Sequence, residues 1–274
     1  MAKKKRLRHG KGAAAKADKH VLYQNSVQDT EADLYLADRV FRRFYDRPAR
    51  KLREDFSGTA LMACDWVKRH KENHAWAIDL DPDPLDWGRE HNVSQLNEEQ
   101  TTRVELILDD VMVAKCEPAD ITVAFNFSYF LFQTRDDLLA YFKKAHSTLG
   151  EQGLFMIDAY GGADAQRTME ETREFDGFDY IWDQNIYDPV TNHVVNYIHF
   201  EFPDGSRIKR AFTYDWRLWS LPELKDILRD AGFSRTDVYW EGTDQKTGEG
   251  NGIYYRADKA LDDPAWVAYI AAFV

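Results

Sequence analysis

The chain has 274 residues, 44% of them hydrophobic and 14% aromatic, enough for the core of one large domain or of a domain with a sizeable insertion; collagen-like, wholly disordered and disulfide-stapled classes are excluded. No run approaches the roughly 18 apolar residues that span a bilayer, the start from Met1 to Lys11 lacks the apolar stretch of a signal peptide, and Cys64 and Cys116 form no CxxC pair, so a soluble cytoplasmic protein without a structural zinc site is expected. Of the net charge of −11, residues 1–20 carry +7, from eight Lys and Arg against Asp18 alone, which leaves −18 on the rest, a body that repels a phosphate backbone.

Residues 1–20 hold only Leu7 as a large apolar side chain and read as a disordered basic tail. Order is expected from Val21, giving a single domain over 21–274. From Thr30 to Asp46 apolar residues fall at steps of three and four, with Thr30 and Asp33 spaced as a capping box, which predicts a helix ended before Pro48. Lys51 to Asp55, Ala75 to Ile78, Val104 to Leu108, Ile121 to Phe125 and Leu154 to Ile157 have strand length. Helical periods at Thr59 to His70, Pro84 to His91 and Arg135 to Leu149 separate them. That alternation predicts a doubly wound, mostly parallel, Rossmann-like α/β sheet covered on both faces. Residues 162–219 change to aromatic and β-branched alternation with a turn at Pro203 to Gly205, and predict an antiparallel β-insertion acting as a lid. A helix at Leu221 to Ala231 and strands at Thr236 to Trp240 and Trp266 to Phe273 follow.

Ligands of an open parallel sheet bind beyond the carboxyl ends of its strands. Those ends carry Glu54 with the small-residue turn Ser57, Gly58, Thr59; then Asp79 and Leu80; then Asp110 and Val111; then Asn126, Phe127 and Ser128. Any one acid there could be a solvated turn residue. Acids or an amide at four neighbouring ends, almost without basic residues, suit a ligand that is cationic and rich in donors, and S-adenosylmethionine has an ammonium, a sulfonium, a ribose diol and an adenine amine. His70 and His74, four apart, offer no third ligand, and no metal is expected.

From Tyr23 to Phe273 the order of these motifs resembles the class I S-adenosylmethionine-dependent methyltransferases, whose sheet has seven strands. The resemblance implies that Glu54, Ser57, Gly58 and Thr59 hold the amino-acid part of the cofactor. It implies further that Asp79 holds the ribose beside Leu80, that Asp110 and Val111 bind the adenine, and that Asn126, Phe127 and Ser128 form the motif after strand four. Tyr23 takes the place of the N-terminal segment that closes over the cofactor. Asn126 to Tyr129 is similar to the Asn-Pro-Pro-Tyr signature of methyltransferases acting on exocyclic base amines, with both prolines absent. The family's first turn has three glycines, whereas this chain has Phe56, Gly58 and Ala60, and Phe takes a positive φ less cheaply than Gly.

The expected activity is methyl transfer to nitrogen or oxygen of a small molecule, with Asn126, Tyr129, Asp158 and Tyr160 lining the acceptor pocket. Two alternatives stand beside it: an RNA- or protein-directed methyltransferase recruited through the basic tail, and a non-catalytic cofactor-binding relative. Membrane partners are not expected, and oligomeric state is unreadable.

Overall fold

A computed structural model describes residues 12–244, 246 and 250–274. Its elements in chain order are α1 (Lys19–Ser26), α2 (Thr30–Tyr45), β1 (Lys51–Asp55), α3 (Leu61–Arg69), β2 (His74–Asp79), α4 (Pro82–His91), α5 (Glu98–Thr101), β3 (Val104–Leu108), β4 (Ala119–Ala124), α6 (Arg135–Ser147) and β5 (Leu149–Gly161). After these come β6 (Met169–Phe175), β7 (Phe178–Asp188), β8 (His193–Glu201), β9 (Arg207–Arg217), α7 (Leu221–Asp230), β10 (Arg235–Thr243), β11 (Gly250–Ala257) and β12 (Trp266–Phe273). Among the described residues no helix is long and apolar enough to cross a membrane.

The chain divides into two compact units, one of Asp29–Ala165 with Leu218–Val274, the other of the residues up to Gln28 with Gln166–Arg217. In the first, β3, β2, β1, β4 and β5 run parallel in that spatial order, and β12, β10 and β11 continue the sheet, with β12 antiparallel to both its neighbours. Parallel pairing needs crossovers, which α3, α4 and α6 supply. Alternation along β5 separates the two faces: Leu154 and Met156 join the cluster of Leu34, Phe41 and Trp66 from α2 and α3, whereas Phe155 meets Tyr141 and Phe142 of α6 and stacks on Phe233.

The sheet has eight strands rather than the expected seven. The additional edge strand is β11, antiparallel to β10, and its Gly-containing sequence carries no clean apolar alternation. The cap of α2 also differs: the side chain of Asp29, not Thr30, accepts the Ala32 N–H, and Asp33 is left to a different partner.

In the second unit β6 to β9 form a four-stranded antiparallel meander. Residues 12–20, read from composition as unstructured, belong to it; Met1 to Lys11 lie outside the described residues. Ala13–Ala15 make a 3-10 turn whose Ala13 and Ala14 N–H groups donate to Asp204 Oδ2 (2.8 Å) and Ser206 Oγ (2.9 Å) at the β8–β9 turn. Asp18 caps α1, and Ala14 and Leu22 are buried with Phe178, Ile198 and Phe200. A segment with few large apolar residues is thus ordered by tertiary partners, which composition does not reveal.

Candidate active site

The carboxyl ends of β3, β2, β1 and β4 lie side by side along one rim, because their registers are parallel and nearly level: Asp55 pairs with Ile78, Asp79 with Leu108 and Glu54 with Val123. Glu54, Asp79, Asp110 and Asn126 therefore share one edge.

The turn after β1 keeps the backbone that glycines would give. Phe56 (φ 59°), Gly58 (φ 53°) and Ala60 (φ 55°) are all left-handed, at a cost of about 1–2 kcal/mol for each residue that bears a Cβ. Surroundings hold it in place. Ser57 N–H donates to Ile78 O (2.9 Å), Ala60 N–H to Ser57 O (2.9 Å) and Gly58 N–H to Asp79 Oδ2 (2.7 Å). The Phe56 ring packs on Tyr141 at 5.4 Å between centroids, and Thr59 O accepts from Asn92 Nδ2 (2.8 Å). A Cβ on Gly88 would stand 2.3 Å from Thr59 O, so α4 approaches the turn as closely as a backbone can. Three left-handed residues are therefore held in this turn although only one of them is a glycine.

Glu54 is 7% exposed and receives the Ala63 N–H (3.0 Å) from the first turn of α3. Burial, reinforced by Asp79, Asp65 and Asp33, pushes its carboxyl up to about 8. Burial likewise raises Asp79, whose other oxygen accepts from Asp81 N (2.9 Å). Leu80 beside Asp79 is 69% exposed. Asp110 Oδ1 accepts from Met112 N (2.9 Å) and so shapes the turn that presents Val111, which is 4% exposed. Ser57 Oγ, in a residue 3% exposed, has no hydrogen-bond partner among the described residues.

Beyond β4, Asn126 (φ 57°) and Phe127 (φ 58°) are consecutive left-handed residues. Both N–H groups donate to the Asp158 carboxylate, at 2.8 and 2.9 Å, and Ser128 Oγ caps Phe125 O (2.9 Å). Asp158 is 6% exposed, and burial pushes it up to about 8. It is the clamp of this turn. Tyr129, expected in the acceptor pocket, is fully buried with its hydroxyl donating to Asp158 O (2.7 Å), a core position rather than an exposed pocket wall. Tyr160 is 9% exposed, 4.8 Å from the Phe127 ring. Tyr23 lies in the other unit, 4.7 Å from the Phe212 ring.

Three groups escaped the reading of the sequence. Arg53, fully buried at the centre of β1, donates to Asp55 Oδ1 (2.7 Å) and to the carbonyls of Val111 and Ala114 (3.1 and 3.2 Å). It ties the segment carrying Asp110 and Val111 to β1. Tyr141 completes that pair by donating to Asp55 Oδ2 (3.0 Å). Asp33 accepts from Tyr269 Oη (2.5 Å). A charged residue in mid-strand was the one available signal, for Arg53.

His70 and His74 share no helix, since α3 ends at Arg69 and β2 starts at His74. Among the described residues Glu170, Asp183 and His199 could surround a metal ion. His199 Nδ1 accepts the Arg210 N–H (2.7 Å), however, so the neutral ring carries its proton on Nε2, towards Asp183 Oδ2 (3.1 Å), with no lone pair left for a metal.

No protein-family model matches the chain, and neither does any curated protein. Solved structures do. An S-adenosylmethionine-dependent methyltransferase from Clostridium acetobutylicum ATCC 824 has 16% identity and a TM-score of 0.66 over 93% of this chain and 96% of its own. A SAM-bound amino pentose methyltransferase from Micromonospora echinaspora has 14% identity and a TM-score of 0.63 over 93% and 96%. A sugar N-methyltransferase from Streptoalloteichus sp ATCC 53650 has 13% identity and a TM-score of 0.60 over 93% and 92%. The chain has the fold of these methyltransferases. The rim described above is the place where open α/β sheets bind ligands.

Proposed function

We propose that this chain is an S-adenosylmethionine-dependent methyltransferase acting on nitrogen or oxygen of a small molecule. One observation carries the reading: the first turn keeps three left-handed positions although two of the usual glycines are gone. Backbone strain of that kind persists only where the surroundings over-determine it, and it clusters at active sites, which speaks against a non-catalytic relative whose turn has decayed.

The residues fit the cofactor. Ser57 Oγ is a buried polar atom without a partner, a Cβ on Gly58 would meet nothing within 4 Å, and the rim acids Glu54 and Asp79 have no cationic partner among the described residues. Glu54, Ser57, Gly58 and Thr59 hold the amino-acid part, Asp79 the ribose hydroxyls against Leu80, and Asp110 with Val111 the adenine. The bound cofactor supplies a methyl carbon activated by a sulfonium. The chain's work is to align the nucleophile and exclude water. Asp158 fixes Asn126 and Phe127 in the left-handed pair at the end of β4, and from there the Asn126 amide orients the acceptor.

Two neighbours carry an amino pentose and a sugar nitrogen in their descriptions, and this favours a small amine acceptor over RNA or protein. Recruitment through the tail rests only on the cationic residues from Lys3 to Lys19. Calorimetry with S-adenosylhomocysteine and S-adenosylmethionine tests the cofactor, and transfer of labelled methyl to a panel of amino sugars tests the acceptor class. No heat at millimolar ligand refutes the proposal.

A further inference from the structure

Three carboxyl groups at the rim lack any positive partner. Asp33, Glu54 and Asp158 form no ion pair among the described residues, and none of the charged groups acting on Glu54 or Asp158 is a cation. Two of them belong to strands that the fold brings to the rim. The third, Asp33, comes from the first turn of α2 and reaches the same place through Tyr269, which donates to it at 2.5 Å. Tyr269 is paired with Asp158 across β12 and β5, and its ring stands edge-on to Phe125 (5.5 Å) and Tyr254 (4.7 Å). Asp33 is thus fixed on the β5 side of the rim, near enough to Glu54 and Asp158 to make both harder to ionise.

The charged neighbours on the surrounding elements sharpen the point. Asp65 of α3 is bound by Thr30 Oγ1 (2.6 Å) and paired with Lys68 (2.9 Å), Asp79 ends β2, and the Arg39 guanidinium of α2 donates to Tyr254 O. Carboxyl groups buried near one another without a counter-ion ionise only at a cost in free energy, which an arriving cation would offset. Ser57 Oγ, in the turn following Glu54, is a second, independent observation: a buried polar atom with no hydrogen-bond partner among the described residues.

We infer that Asp33, held by Tyr269, joins Glu54 in binding the ammonium group of the cofactor, so that α2 and β12 are part of a site otherwise built from β1 to β4. This rests on the cofactor named under Proposed function. Tyr269 is a positioning residue: it holds one Asp33 oxygen and leaves the other to the ligand.

The test compares two probes, S-adenosylhomocysteine, which has the amino-acid part, and 5′-methylthioadenosine, which lacks it, by calorimetry on the full chain. Asp33→Asn keeps the side-chain shape and can still accept from Tyr269. It should weaken S-adenosylhomocysteine about tenfold or more and leave 5′-methylthioadenosine within about twofold of wild type. Tyr269→Phe should act in the same direction by a smaller factor. Equal losses for both probes, or none for either, overturn the assignment of Asp33 while leaving the cofactor standing. If the wild type binds neither probe, the cofactor reading fails and this inference with it.

Discussion

Raising the pH from about 5 to about 7 should destabilise the ligand-free protein, opposite to the usual effect of carboxylates. Burial is the first cause in each case, and it pushes Glu54 and Asp158 up to about 8 and Asp33 to about 7. In the unfolded chain these groups ionise near 4. Between the two values the folded protein binds more protons than the unfolded one, so stability falls as pH rises. Each group contributes a slope of up to about 1.4 kcal/mol per pH unit. The acids shifted the other way, Glu117, Asp188 and Asp204, are lowered by hydrogen bonds at the surface; their contribution is lost only below the ordinary carboxylate range and leaves this window clean. Urea denaturation followed by tryptophan fluorescence, at half-unit steps of pH, measures the slope directly. Asp158→Asn and Asp33→Asn should each remove about one group's share, and saturating S-adenosylhomocysteine should flatten the curve by supplying the missing cation. A flat or rising stability between pH 5 and 7 would refute the reasoning.

Asp79→Ala should weaken S-adenosylhomocysteine by about 1–3 kcal/mol through unpaired ribose hydroxyls; calorimetry at wild-type affinity would remove Asp79 from the site. Arg53→Ala leaves Asp55 as an uncompensated buried charge and should cost about 3–5 kcal/mol in urea denaturation, most of it recovered when Arg53→Leu is combined with Asp55→Leu. Ala60→Gly relieves about 1 kcal/mol of left-handed strain and loses about 0.8 kcal/mol of methyl burial, so its stability should stay within about 1 kcal/mol of wild type. Phe56→Gly gains the same relief but forfeits the ring contacts with Phe132 and Tyr141, a net loss of about 1–2 kcal/mol; a stabilised variant would mean that those contacts contribute little.

The parallel sheet was readable because its strands are short apolar runs separated by helical periods, and the rim acids follow those runs directly. β1 was the weakest of them by composition because its centre is the Arg53–Asp55 ion pair instead of two aliphatic side chains. The surroundings of Tyr129 and Asp33 were hidden for one shared reason. Both lie in segments whose local pattern fits another role, pocket wall and helix cap, and each is redirected by a partner remote in sequence, Asp158 and Tyr269. The ordering of residues 12–20 was equally hidden, since it depends on Asp204 and Ser206.

That last dependence sets an order of events during synthesis. Ala14 and Leu22 leave the ribosome well before their partners Phe178, Ile198 and Phe200, which follow more than 150 residues later. Until then the opening helix has nothing to fold against, while the strands of the other unit up to β5 are already available to pair. Contacts spanning so much chain form slowly, and a fusion partner or tag that shields the N-terminal face of α1 would delay the antiparallel unit without touching the parallel sheet.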